Sequence, residues 1–83
     1  MPRYLLAFES THAAMAANKA LAAVAPAVIP TPRAITASCG MSLRFEAECD
    51  REAVALACGV KEARGLAALY ADEAGEYTLL EKI

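Results

Sequence analysis

Three cysteines stand in a chain of 83 residues: Cys39, Cys49 and Cys58. Cys39 is the one whose neighbours suggest chemistry. It sits in Ser38-Cys39-Gly40, after Pro32-Arg33 and just before the alternating run Met41 to Phe45. A thiolate is a strong nucleophile, and its reactivity rises where local positive potential lowers the thiol pKa. Gly40 lets the backbone approach whatever the sulfur carries, and Arg33 and Arg44 flank the loop with charges that can neutralise an anion. The same residues also make an ordinary turn in which cysteine is a small hydrophobe, and spacing alone leaves both readings open. Cys49 and Cys58 read as core or incidental thiols, one at a helix start and one within a helix against a sheet.

The elements that position Cys39 follow from the pattern of apolar residues. Arg3 to Phe8 is apolar on both faces, which suits a strand in the middle of a sheet. Ser10 and Thr11 are good caps for a helix running to about Val24, stopped by Pro26, with Ala13, Ala17, Ala20, Leu21 and Val24 on one stripe. Val28-Ile29 begins a second strand, and Pro30 and Pro32 confine it to an edge. Residues 34–40 form a loop. In the third strand, from Met41 to Glu46, Met41, Leu43 and Phe45 point one way and Ser42, Arg44 and Glu46 the other.

Asp50 caps a second helix that Gly59 ends, its inner face carrying Ala53, Leu56, Ala57 and Val60. Gly65 to Tyr70 is a fourth strand, Asp72 to Gly75 a turn, and Tyr77 to Ile83 a fifth strand.

This order predicts an α+β fold, a ferredoxin-like β-α-β-β-α-β sandwich with an extra C-terminal strand, in one domain over residues 1–83. The right-handed crossover rule places the third strand between the first and second. The loop carrying Cys39 then shares a sheet end with the start of the first helix, near Ser10, Thr11 and His12. A helix N-terminus carries partial positive charge and would lower the thiol pKa, and His12 would add a base. His12 also fits as a plain exposed residue of the first helical turn, and Arg33 and Arg44 as solvated strand residues.

Composition narrows the function classes. The chain is 58% hydrophobic, but 21 of its residues are alanine. The core therefore depends on Leu5, Leu6, Phe8, Leu21, Val28, Ile29, Leu43, Phe45, Val54, Leu56 and Leu66. A formal net charge of −2 without a basic block argues against nucleic acid or an anionic membrane surface as partner. No apolar run approaches the roughly 20 residues of a membrane span. Glu9, His12, Asn18 and Lys19 interrupt any leader-like apolar stretch, so the segment reads as folded protein and the protein as cytoplasmic. Three irregularly spaced cysteines form neither a disulfide framework nor a zinc ligand set. No metal or cofactor is expected, and no acid–base pair supports catalysis in its own right.

The sequence resembles the selenium/sulfur carrier protein-like family of small bacterial domains. The resemblance rests on Phe8-Glu9-Ser10-Thr11-His12, Pro30-Thr31-Pro32-Arg33, Ser38-Cys39-Gly40 and Leu43-Arg44-Phe45, and spans roughly residues 3–70. Asn18 departs from the pattern, since relatives carry an acidic residue before Lys19. The second helix, with Cys49 and Cys58, matches no family motif. The resemblance implies that Cys39 carries sulfur or selenium as a persulfide or perselenide, between donor and acceptor proteins, as a carrier more than an enzyme. Ser38 and Gly40 would shape its turn, with Arg33 the nearest matched charge. The competing reading is a small ferredoxin-like binding or dimerisation module without thiol chemistry, in which the last hairpin pairs across a homodimer through Tyr77, Leu79 and Ile83.

Overall fold

The computed structural model describes residues 1–33, 35 and 40–83, the side chain of Glu62 aside. Five strands form one antiparallel sheet in the order β2-β3-β1-β4-β5, and two helices complete an α+β architecture. The strands are β1 (Arg3–Phe8), β2 (Ala27–Pro30), β3 (Met41–Glu46), β4 (Ala67–Glu73) and β5 (Glu76–Lys82). The helices are α1 (Thr11–Ala20) and α2 (Asp50–Cys58). The central position expected for residues 3–8 is the one observed. β1 pairs with β3 on one side and β4 on the other, and Tyr4, Leu5, Leu6 and Phe8 are all buried. β3 is antiparallel to both β1 and β2, so these two run parallel with β3 between them, as the crossover rule requires.

One face of the sheet packs on the helices. Tyr4, Leu6, Phe8, Leu43, Phe45 and Leu69 meet Ala13, Ala14, Ala17, Ala53 and Ala57 in a continuous core. Alanine suits these helices, because a short side chain lets the helix axis lie close to the sheet and costs no rotamer entropy. Of the stripe expected on α1, Ala13, Ala17 and Leu21 are buried, Val24 is half-buried, and Ala20 is exposed with Ala14 buried instead. The helix is also shorter than its pattern. It ends at Ala20, and a separate 3₁₀ turn covers Ala22–Val24 before Ala25 enters the left-handed region at φ 47° ahead of Pro26. Pro26 cannot continue a helix, and the chain has already left α1 at Leu21 and reversed at Ala25 before reaching it.

Several other boundaries differ for local reasons. Cys49, not Asp50, is the N-cap of α2. Asp50 is the first helical residue, and its Oδ1 accepts a 2.7 Å hydrogen bond from the Tyr4 hydroxyl. Glu52 reaches back to accept from the Glu48 backbone N–H at 3.2 Å, close to the capping-box arrangement. Cys58 is exposed, not packed on the sheet, because Ala53, Ala57 and Val60 take the inner face and leave Leu56 half-buried. β4 begins two residues later than expected, at Ala67. Leu66 belongs to the preceding turn and is 39% exposed, so it is not a core residue.

β4 runs on through Glu73, so the reversal is only Ala74-Gly75, with φ 53° and 87°. Two positive φ angles make the tight hairpin turn whose twist matches the flanking strands. Asp72 and Glu73 therefore belong to the strand.

Two consequences are measurable. Alanine in the left-handed region costs about 1 kcal/mol, whereas asparagine tolerates it. Ala74→Asn therefore raises stability by about 0.5 kcal/mol, read as a higher denaturation midpoint at unchanged m-value. Burial pushes the Tyr4 phenol from 10.0 up to about 12, with the Asp50 hydrogen bond and the charges of Asp50, Cys49 and Glu73 acting in the same direction. The unfolded phenol ionises first, so this contribution is complete below pH 10 and is lost as pH rises towards 12. Tyr4→Phe costs about 1 kcal/mol at neutral pH and flattens the stability profile above pH 10. Urea titrations between neutral pH and pH 11 would show both effects, and a parallel offset of the two proteins across that range would contradict the second.

Candidate functional site

The register of the sheet fixes which residues meet at the loop. Met41 opens β3 and lies opposite Phe8 of β1 on one side and Pro30 of β2 on the other. The ends of β1 and β2 and the start of β3 thus share one end of the sheet, and α1 begins there at Thr11, three residues after Phe8. This is the juxtaposition that the element order predicted. Cys39 and Ser38 lie outside the described residues, so the site is built from Gly40 and its surroundings.

Gly40 is the covalent neighbour of Cys39, and its own position is tightly determined. Its carbonyl accepts from the Thr31 N–H at 2.9 Å, prolonging the β2–β3 ladder past Pro30. A Cβ at this position would fall 2.9 Å from the Phe8 carbonyl oxygen and 3.2 Å from Thr31 Oγ1. Only glycine fits so close to another backbone. Thr31 is held in turn by Ser42, whose hydroxyl lies 2.7 Å from Thr31 Oγ1. Ser42 is fully buried at 0% exposure, and a buried hydroxyl needs such a partner. Strand alternation assigned Ser42 to the polar side of β3, and Thr31 received no role. No local pattern pairs them, since the two residues lie eleven apart in the chain, on either side of the β2–β3 connection.

The side of the sheet away from the helices carries a groove of about 790 Å³ at this end, with Phe8, Thr31, Ile35, Gly40, Leu66 and Tyr70 among its walls. The Glu9 N–H donates to the Leu66 carbonyl at 3.1 Å, tying the exit of β1 to the turn before β4 on the far wall. Its walls mix apolar side chains with the polar groups of Glu9, Thr31, Tyr70 and Lys82.

The sequence-selected residues separate into two groups. Ser10 is the N-cap of α1, its Oγ accepting from the Ala13 N–H at 3.3 Å, and Thr11 and His12 are exposed in the first helical turn. All three belong to the loop's end of the sheet. Arg33 is exposed next to Pro32, whose carbonyl accepts from the Ile35 N–H at 3.0 Å. Arg44 stands apart. It lies three residues beyond Met41, about 10 Å along the strand, opposite Leu5 and Ala27, and borders a second, smaller hollow with Arg3 and Glu46. Cys49 and Cys58 are exposed and belong to α2 and its cap.

The crowding at Gly40 gives a direct test. Gly40→Ala forces the added methyl against a backbone carbonyl and destabilises the protein by about 1–3 kcal/mol. Gly59→Ala is the control, since its Cβ would meet only ordinary contacts at 3.5 Å. Equal denaturation midpoints for the two variants would contradict this account.

The comparisons with known proteins bear on the same segment. Neither the comparison with curated proteins nor that with solved structures returned a match. A family model does match, over residues 3–62, described as "Putative Se/S carrier protein-like". The matched span runs from β1 to the turn after α2 and includes the Gly40 crossing and the sequence Ser38-Cys39-Gly40. On that match, covering well over half of its length, the chain belongs to the Se/S carrier protein-like family.

Proposed function

We propose that this chain is a sulfur or selenium carrier that holds the chalcogen on Cys39, in a single ferredoxin-like domain extended by β5. The observation that carries the proposal is the fixed position of Gly40, pinned between the Phe8 carbonyl and Thr31 at the sheet end where α1 starts. A carrier needs its reactive atom attached to a rigid frame and open to partner proteins. Gly40 supplies a closely packed attachment immediately beside Cys39 in the chain, and membership of the carrier-like family supports the reading of that thiol as the carrier atom.

In this reading the Cys39 thiolate attacks the outer sulfur of a donor persulfide. The donor S–S bond breaks, the donor leaves as a thiolate, and Cys39 retains the outer sulfur as a persulfide. An acceptor thiolate then attacks that same sulfur and releases Cys39 as thiolate, so no net oxidant or reductant is consumed. A perselenide donor exchanges selenium by the same steps. The start of α1 supplies partial positive charge for the thiolate, with Arg33 as the candidate cation and His12 as the candidate base. Ser10 caps the helix that Thr11 begins, and Gly40 anchors the chain beside Cys39, with Ser38 its neighbour in sequence on the other side. Arg44 keeps a supporting role in β3 without reaching the loop. The partners are donor and acceptor proteins of chalcogen transfer, and the groove beside the loop gives them a flank to dock against.

The test uses the whole chain, reduced and then incubated with a cysteine desulfurase and free cysteine. Intact mass should increase by one sulfur atom in the wild type and in Cys49→Ser and Cys58→Ser, and the gain should disappear in Cys39→Ser and on reduction. Equal loading of wild type and Cys39→Ser would overturn the assignment.

A further inference from the structure

The two outer strands of the sheet are unlike each other. β2 has four residues and ends at Pro30, which has no N–H to offer a neighbour, with Pro32 close behind. That edge is blunted in the usual way. β5 has seven residues, Glu-Tyr-Thr-Leu-Leu-Glu-Lys, with neither proline nor glycine. It ends the strand order, so one side of its backbone has no strand beside it among the described residues.

The backbone phase of β5 can be read from its two ends. The Ala74-Gly75 turn closes on the Glu73–Glu76 pair, whose amide groups bond across the hairpin. Alternation then turns the N–H and C=O of Tyr77 and Leu79 outward. At the other end Ile83 faces inward, donating to the Ala67 carbonyl and accepting from the Gly65 N–H, so Lys82 faces outward. The irregularity between Leu69 and Tyr70 absorbs the extra residue, because Tyr70 pairs with Leu79 and Leu69 with Glu81. The outward amides therefore belong to Tyr77, Leu79 and Lys82. Their side chains share the sheet face away from the helices, beside Asp72, Tyr70 and Ala68 respectively. Leu79, at the centre, is 47% exposed.

We propose that β5 pairs antiparallel with β5 of a second copy, about a two-fold axis at Leu79, joining the two sheets into one of ten strands. The partner is a second copy because this strand is complementary to itself. Leu79 covers its own twin at the axis, Thr78 stands opposite the Leu80–Glu81 irregularity, and Tyr77 lies beside Lys82 of the other copy, an ammonium against a phenol ring. Other axes do worse. An axis at Thr78 sets Tyr77 opposite Leu79 of the other copy but brings Lys82 against the Ala74-Gly75 turn, so the Lys82 amides lose their partners and fewer bonds form. One at Lys82 sets two ammonium groups face to face, and one at Tyr77 runs into the turn after two residues. Ile83, expected at this interface from its alternation with Leu79, instead packs against the core of its own chain. The pairing is independent of any chemistry at Cys39.

The test combines sedimentation equilibrium with amide hydrogen exchange of the whole chain. The wild type should dimerise reversibly, and the Tyr77 and Leu79 amides should become protected as chain concentration rises. Leu79→Lys places two charges at the axis and removes the apolar contact. It should raise the dissociation constant at least about tenfold while leaving the melting curve of the dilute protein in place. Should that variant fail to fold, the exchange data on the wild type decide alone. A protein that stays monomeric at millimolar concentration would overturn the proposal. So would a dimer in which the Tyr77 and Leu79 amides exchange as fast as in the dilute monomer.

Discussion

The structure depends on β1 being buried on both faces and paired on both sides. All six of its residues lie opposite partners in β3 and in β4, and four of them are buried. A strand so placed cannot slip by one residue without exchanging Tyr4, Leu6 and Phe8 for Arg3, Leu5 and Ala7 on the helix side. Its register therefore sets the height of every other element. β3 is fixed against it by Phe8–Met41, β2 is fixed through β3, and α1 starts at a set distance beyond its end. The position of Gly40 follows from this pairing.

The alanine content is a condition of the same arrangement. In an 83-residue chain two helices must cover most of one sheet face, and Ala13, Ala14 and Ala17 of α1 and Ala53 and Ala57 of α2 are all buried there. Small side chains bring the helix backbones close, so the large residues come from the sheet: Tyr4, Leu6, Phe8, Leu43, Phe45 and Leu69. The cost is a core with little area per helical residue, and polar contacts outside it carry a larger share. The Tyr4–Asp50 hydrogen bond is one, joining β1 to the first turn of α2 beside a Tyr4–Phe45 ring pair with centroids 6.0 Å apart. The Thr31–Ser42 pair is another, at the opposite end of the sheet.

What could be read from the sequence was what periodicity and proline encode. The double-sided apolar run at residues 3–8 marked the central strand, Pro30 marked the edge, and the crossover rule brought the loop to the start of α1. What could not be read were the contacts between residues far apart in the chain. Asp50 looked like a cap because Asp favours that position, and nothing local reveals the Tyr4 hydroxyl 46 residues away. Ser42 looked solvated because alternation counts faces, not the depth at which the threonine just past a neighbouring strand closes over it. Cys58 looked buried because an alanine-rich helix gives a weak stripe, in which one cysteine more or less does not shift the apparent face. Of the proposed site, the frame around Gly40 was predicted in location but not in mechanism. Gly40 seemed to leave room for a ligand, whereas the missing Cβ makes room for the Phe8 carbonyl.

That reassignment changes what the loop asks of the protein. A glycine kept for ligand access could be moved along the loop with its cysteine. A glycine kept because two backbones cross at that point cannot, since β3 must leave the crossing in register with Phe8 and Pro30 at once. The chain thus couples the residue next to Cys39 to the most constrained strand of the fold. The opposite end of the sheet, where Tyr4 holds Asp50, secures the start of α2 beside its N-cap Cys49, and Cys58 lies at the other end of that helix. The close backbone approach lies where Gly40 crosses Phe8, and the unpaired edge proposed for assembly lies on β5, beyond β4 from the crossing. Carrying a group on the loop and pairing through the edge therefore place no conflicting demands on the same residues, except at Tyr70 and Lys82, which border both the groove and β5.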